Sequence, residues 1–223
     1  MMRVAVIIPA RDEEALIGRC LTSVLAAASA VEAHVSVTVA ADGCLDRTAE
    51  IARAFPGVTV LELESSNVGA ARAAAADFAL RRGADWLANT DADSVVPPNW
   101  LVDQLHHASR GVDVVVGTVR PELDDLTEEQ LRAWQATHVA GEPNGHVHGA
   151  NLGIRASAYR EVGGYLTMPE HEDVDLVARL AGRPRVASDA AEVVTSSRSF
   201  GRTPGGYARY LRELVVDAPT TAH

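Results

Sequence analysis

The segment Asn89-Thr90-Asp91-Ala92-Asp93-Ser94 places two carboxylates at i and i+2, where an apolar run ends and Pro97-Pro98 turns the chain. A strand alternates its faces, but a turn at its end can aim both carboxylates at one point. Oxygen pairs of this kind suit a hard cation, Mg²⁺ or Mn²⁺, that bridges protein carboxylates and a substrate phosphate. The same residues would also serve as a solvated acidic turn capping the next helix.

Three further segments bear on the choice: Pro9-Ala10-Arg11-Asp12-Glu13-Glu14, Ala41-Asp42-Gly43-Cys44-Leu45-Asp46-Arg47-Thr48 and Asn67-Val68-Gly69-Ala70-Ala71-Arg72. Each follows a short β-branched run, so each leaves polar groups at a strand's C-terminal edge, where open α/β sheets bind ligands. Asp42 can accept hydrogen bonds from a nucleobase edge, and Gly43 allows a tight turn; turn and cap chemistry is the alternative use of each segment. Four histidines, His138, His146, His148 and His171, cluster in the second half. His146 and His148 share a face in a strand, so a zinc hydrolase is a rival reading, although no third ligand stands at a recognisable spacing. The run from Ser196 to Tyr207 mixes Ser, Gly and Arg, and Arg198 with Arg202 could clamp a diphosphate or simply lie in solvent. Trp86, Trp100 and Trp134 could stack on a sugar, but core packing is the commoner use.

The elements that must position these groups alternate in type. Strands are expected near Val4–Ile8, Val35–Ala40, Val58–Leu63 and Trp86–Thr90, with helices near Glu13–Ala28, Asp46–Ala54 and Gly69–Arg82 between them. Such βαβ alternation implies a mostly parallel central sheet flanked by helices. In the second half the pattern predicts a helix over Asn99–Ser109, a strand over Val112–Val119 and a capping box at Thr127-Glu128-Glu129-Gln130. A strand over His148–Ile154 and helices over Glu172–Leu180 and Tyr207–Val216 follow, with 140–148 read as a loop.

Composition narrows the classes. With 223 residues, 47% of them hydrophobic, the chain can bury a sizeable core in a single domain. Thirty acidic residues against 20 basic ones give a net charge of -10, which disfavours nucleic acid as a partner. The basic residues are all arginine, so Schiff-base, pyridoxal and Walker A lysine chemistry is excluded. Two cysteines without metal-ligand spacing fit a reducing cytoplasm. The first apolar run is too short for a signal peptide, and no window spans a membrane, so peripheral membrane contact is the form left open.

In order along the chain, these motifs resemble the family 2 glycosyltransferases. The resemblance rests on Val-Ile-Ile-Pro-Ala-Arg-Asp-Glu-Glu, on Asp-Gly-x-x-Asp-x-Thr and on Asp91-Ala92-Asp93. It continues through Gly149-Ala150-Asn151-Leu152-Gly153-Ile154-Arg155 to Val162-Gly163-Gly164-Tyr165, and then Glu172-Asp173. The resemblance implies a single GT-A-like α/β domain, with 1–94 as the nucleotide-sugar half and 95–223 as the acceptor and catalytic half. It implies metal-dependent, inverting transfer of a hexose from a UDP- or GDP-sugar to an acceptor hydroxyl. Pro9, Ala10, Arg11 and Glu13 would line the nucleoside pocket, Asp42 would bind the base, and Asn67 and Arg72 would lie near the nucleoside or diphosphate. Asp93 would hold Mn²⁺ or Mg²⁺, with Asp91 on metal or ribose and Ala92 between them. Asn151, Arg198 and Arg202 join the donor-binding set. Asp173 would be the base, beside Glu172. This chain has Ala41 before Asp42, Cys44 where Ser is usual, and Ala73 where Asn often follows the arginine. A sugar-phosphate nucleotidylyltransferase is a rival, although its Gly-rich loop and lysine are absent; a noncatalytic nucleotide-sugar-binding module is another.

Overall fold

The computed structural model describes residues 1–139, 143, 146–198 and 207–216. Four strands open the sheet, β1 (Arg3–Ala10), β2 (His34–Asp42), β3 (Val58–Leu63) and β4 (Trp86–Asn89), all paired in parallel in the order β3-β2-β1-β4. Their crossovers are helices α1 (Ile17–Ser29), α2 (Thr48–Arg53) and α3 (Val68–Arg81).

In β1, alternate residues bury themselves on opposite faces. Val4, Val6 and Ile8 pack with Ile17, Leu21 and Val24 of α1, while Ala5 and Ile7 meet Ala71, Ala75 and Ala79 of α3. A strand covered on both faces reads as a continuous apolar run, which is why Val4–Ile8 was legible. The small side chains of α3 let its backbone lie close on the sheet. Asn67 caps α3 by accepting from the Ala70 amide at 3.0 Å, and Gly83 follows the helix at φ +79°.

Beyond β4 the sheet becomes mixed. The remaining strands are β5 (Ser94–Val95), β6 (Val114–Pro121), β7 (Leu152–Arg155) and β8 (Arg185–Thr195), and the order continues β4-β7-β6-β8-β5. β7 runs antiparallel to β4 and β6, and β8 runs parallel to β6. Four of the seven pairings among the described residues are parallel. The other helices are α4 (Trp100–Ser109), α5 (Glu128–Thr137), α6 (Ala156–Glu161), α7 (Glu172–Arg179) and α8 (Tyr207–Val216). The capping box at Thr127 and Gln130 is present.

Three expectations change. The first helix begins at Ile17 instead of Glu13, because the Glu13 amide donates to Thr48 Oγ1 and the Glu14 amide to Asp46. The strand expected from His148 starts at Leu152, because Gly149–Asn151 form a 3₁₀ turn. The long strand β8 was not foreseen. All three tryptophans are buried in the core, Trp86 donating to Gln104 and Trp100 to Asn151.

Candidate active site

The C-terminal ends of β1, β2 and β4 meet the N-termini of α3 and α7 around a cleft of about 370 Å³, a size suited to a small ligand. Pro9, Ala10, Arg11, Glu13, Asp42, Asn67, Arg72, Asp91, Ala92, Asp93, Glu172, Asp173 and Arg198 all line it. The structure therefore gathers three strand ends, the start of α3 and the α7 acid pair into one place.

Each acid sits in a different electrostatic setting. Asp42 accepts from the amides of Ser65, Ser66 and Asn67 at 2.7, 3.0 and 2.7 Å and from the Ser65 hydroxyl at 2.8 Å. A carboxylate offers about four lone-pair sites, so Asp42 is filled by the loop that enters α3. Burial works the other way, yet these donors hold its carboxyl below the usual value.

Arg72 lies beneath the cleft, 2% exposed. Its Nη2 reaches Asp91 at 2.5 Å and its Nε reaches Glu172 at 2.8 Å. One buried guanidinium thus joins the donor-side Asp-x-Asp to the acid pair of α7, 100 residues away. Burial alone would discourage its charge, but Asp91 and Glu172 outweigh that and raise its pKa. Burial likewise pushes the Glu172 carboxyl up while Arg72 holds it down. Gly149 packs on this guanidinium where a Cβ would overlap it, and its amide donates to Asp173 Oδ2 at 2.5 Å. Asp173 also accepts from the Val174 amide in the first turn of α7, where the helix dipole favours a carboxylate.

Asp93 has a different partner. Arg198 spans Glu13, at 2.6 and 2.9 Å from Nη1, and Asp93, at 2.8 Å from Nη2. Burial and then the Asp91 carboxylate push Asp93 up to about 7, against the pull of Arg198. Thr195 at the end of β8 donates to Asp93 at 3.4 Å, and the Ser196 amide to its carbonyl at 3.2 Å.

Backbone strain collects here as well. Asp12, Ser66 and His171 are the non-glycine residues with positive φ among the described ones; Ser66 and His171 line the cleft and Asp12 adjoins Arg11. Such conformations persist where the surrounding structure holds them, commonly at functional sites.

Glu13, Asp91 and Asp93 offer hard oxygen donors suited to Mn²⁺ or Mg²⁺. Arg198 bridges two of these carboxylates, Glu13 and Asp93. No three His, Cys, Asp or Glu side chains among the described residues form a ready-made metal cage.

Two expected members differ. Asn151 lies outside the cleft, 2% exposed, where Trp100 donates to its Oδ1 and its Nδ2 donates to the Thr118 and Ala191 carbonyls. It ties α4, β6 and β8 together. Arg202 falls outside the described residues. His146 and His148 stack edge to face at 6.2 Å, and His148 reaches the cleft wall beside Tyr207. Thr195 is a member of the cleft wall that the sequence does not single out, and no individual role is expected from the sequence for Gly149, Ser196 or Tyr207. A glycine before Asp-x-Asp's partner strand carried the clearest missed signal, since a backbone donor there needs close approach.

The fold is of the GT-A type. The chain matches the description "Glycosyl transferase family 2" over residues 5–163, and it belongs to that family. It is 28% identical over 222 residues to an undecaprenyl-phosphate 4-deoxy-4-formamido-L-arabinose transferase of Shewanella sediminis, covering 98% of this chain and 66% of that protein. A protein of the same name from Edwardsiella ictaluri is 32% identical over 126 residues, 55% of this chain and 38% of that one. The chain therefore spans about two thirds or less of these relatives' lengths. Among solved structures, S. aureus TarS 1-349 with UDP-GlcNAc superposes with a TM-score of 0.72 at 15% identity, covering 96% of this chain and 65% of TarS. The mannosyltransferase PcManGT of Pyrobaculum calidifontis, with GDP-Man and Mn²⁺, gives 0.64 at 20% identity, covering 90% and 58%. These two likenesses establish the fold. No helix among the described residues is long and apolar enough to cross a membrane.

Proposed function

We propose that the chain performs metal-dependent, inverting transfer of a sugar from a UDP- or GDP-sugar to an acceptor held near Asp173. The observation that carries this reading is the charge of the cleft: seven lining carboxylates stand against three arginines. A diphosphate cannot enter such a site without added positive charge, and the oxygen-rich cluster of Glu13, Asp91 and Asp93 is where a divalent cation would be held. Bound there, the cation would stabilise charge on the departing diphosphate. Residues 1–94 would hold the nucleotide and 95–223 the acceptor. In this reading Asp42 acts on the base through the 65–67 loop it anchors, and Arg72 fixes Asp91 and Glu172 from below.

The relatives' names support a polyprenyl phosphate as acceptor, in place of the hydroxyl expected from the sequence. The two nucleophiles demand different chemistry. A hydroxyl must lose a proton, and Asp173 would take it; a phosphate monoester, with its second pKa near 6, arrives largely ionised. The donor's hexose identity and a UDP or GDP carrier rest on the family resemblance.

The experiment is release of UDP or GDP from a panel of nucleotide-sugars, with hydroxyl acceptors and with polyprenyl phosphate in detergent, for wild type and Asp173→Asn. For a hydroxyl acceptor the variant should keep donor affinity and lose roughly 10²- to 10⁴-fold in turnover; for a phosphate the loss should be far smaller. Pyrophosphate release from a nucleoside triphosphate would favour the nucleotidylyltransferase, and donor binding without any turnover would favour a binding module.

A further inference from the structure

We propose that Arg198 is a donor-binding residue with two stations: it occupies the cation position between Glu13 and Asp93 until a divalent metal displaces it, and then turns to the donor diphosphate. This rests on the metal-dependent reading above.

The contrast with Arg72 supports the exchange. Both arginines bridge one carboxylate of the Asp-x-Asp segment to a second acid. Arg72 is enclosed, its side chain 3% exposed, against a glycine that leaves it room and the Tyr165 ring at 5.9 Å. Arg198 retains 27% exposure at the cleft wall. It follows β8 directly, beside Ser196, whose amide holds the Asp93 carbonyl, and Ser197, whose hydroxyl donates to the Glu122 carbonyl at 2.7 Å. The backbone is thus pinned just ahead of Arg198, and the long side chain swings from a fixed root.

Charge makes the exchange directional. Glu13 and Asp93 are 6% and 13% exposed at the side chain, so leaving both without a cation is unfavourable. A guanidinium and a metal ion on the same carboxylates repel each other as like charges. Metal entry therefore favours release of Arg198, and the planar fork it frees matches a diphosphate in bidentate geometry. Two consequences of opposite sign follow. Arg198 should weaken metal binding to the empty protein and strengthen nucleotide binding to the metal-loaded one.

Mn²⁺ binding, read from the free-ion paramagnetic resonance signal, separates these effects in wild type, Arg198→Gln and Asp93→Asn. Arg198→Gln is expected to bind Mn²⁺ alone at least 5-fold tighter than wild type, and to bind UDP or GDP at saturating Mn²⁺ at least 10-fold more weakly. Unchanged or weaker Mn²⁺ binding in this variant, with its circular dichroism spectrum intact, overturns the exchange. If Asp93→Asn binds Mn²⁺ as well as wild type, the metal reading itself fails instead. A measurement on the unaltered protein covers the case of a variant that does not fold. Tryptic cleavage after Arg198, followed by mass spectrometry, should accelerate with Mn²⁺ alone and slow again when UDP or GDP is added. A rate indifferent to Mn²⁺ also overturns the proposal.

Discussion

Arg72 holds two acids of the cleft with one side chain. Its Nη2 and Nε are committed to Asp91 and Glu172, and its buried Nη1 has no hydrogen-bond partner among the described residues. Arg72→Met leaves two acids facing an apolar chain, and breaking a buried pair in this way typically costs about 3–5 kcal/mol. Urea denaturation should show that loss, and adding Glu172→Gln should recover part of it, because the second change removes one uncompensated acid. Arg72→Lys keeps the charge but lacks the planar fork, so it should fall between. His148 provides a second test. Burial lowers its pKa, against the opposing pull of Asp173, so the native state resists protonation that the unfolded chain accepts below about 6.5. This group's effect on stability is therefore neutral above that pH and unfavourable as the pH falls below it. Melting temperature from pH 7.5 to 5.5 should fall more steeply in wild type than in His148→Gln. Equal slopes would show that His148 protonates freely in the native protein.

The turn Gly149–Asn151 between the 146–148 segment and β7 does more than connect. Its first residue supports Arg72 and donates to Asp173; its last is a core tie. Gly149→Ala should therefore unsettle the acid pair of α7 as well as the fold. Overpacking of this kind typically costs about 1–3 kcal/mol, and turnover should fall more than donor affinity, measured by calorimetry beside steady-state rates. The strand expected over His148–Ile154 is shorter because its first residues form a tight turn, which a local pattern does not distinguish from an extended run. Asn151 was misplaced for a related reason: an amide inside a functional motif reads as a ligand until its donors and acceptors are seen to be used up by Trp100, Thr118 and Ala191. By contrast, β1 and β4 were legible because they are buried continuously, and α3 because it is capped. The strand β8 was not, because Ser188-Asp189-Ala190 interrupts its alternation and its identity depends on β6 beside it. The position of Asp173 opposite Asp91 depends on a crossover that no local pattern records.

Across the whole molecule, the two helical layers leave one sheet edge to bear function, and acidic groups concentrate there despite a net charge of -10. Their mutual repulsion is relieved by Arg72 and by Arg198, and under the proposed function a cation and a nucleotide would add to this. Ligand binding to the native state alone stabilises it by mass action, about 2.7 kcal/mol at one hundred times Kd. For a chain of 223 residues each kcal/mol moves the melting temperature by about 2–4 °C. UDP or GDP at that saturation with Mn²⁺ should then raise Tm by about 5–10 °C, measured by scanning calorimetry. Chelation of the metal should remove most of the shift, and Asp93→Ala should show little of it under either condition, because the carboxylate that joins cation to protein is gone. A shift that persists undiminished in a chelator would mean that the arginines alone carry the diphosphate, and the role of Glu13, Asp91 and Asp93 as cation ligands would fall with it.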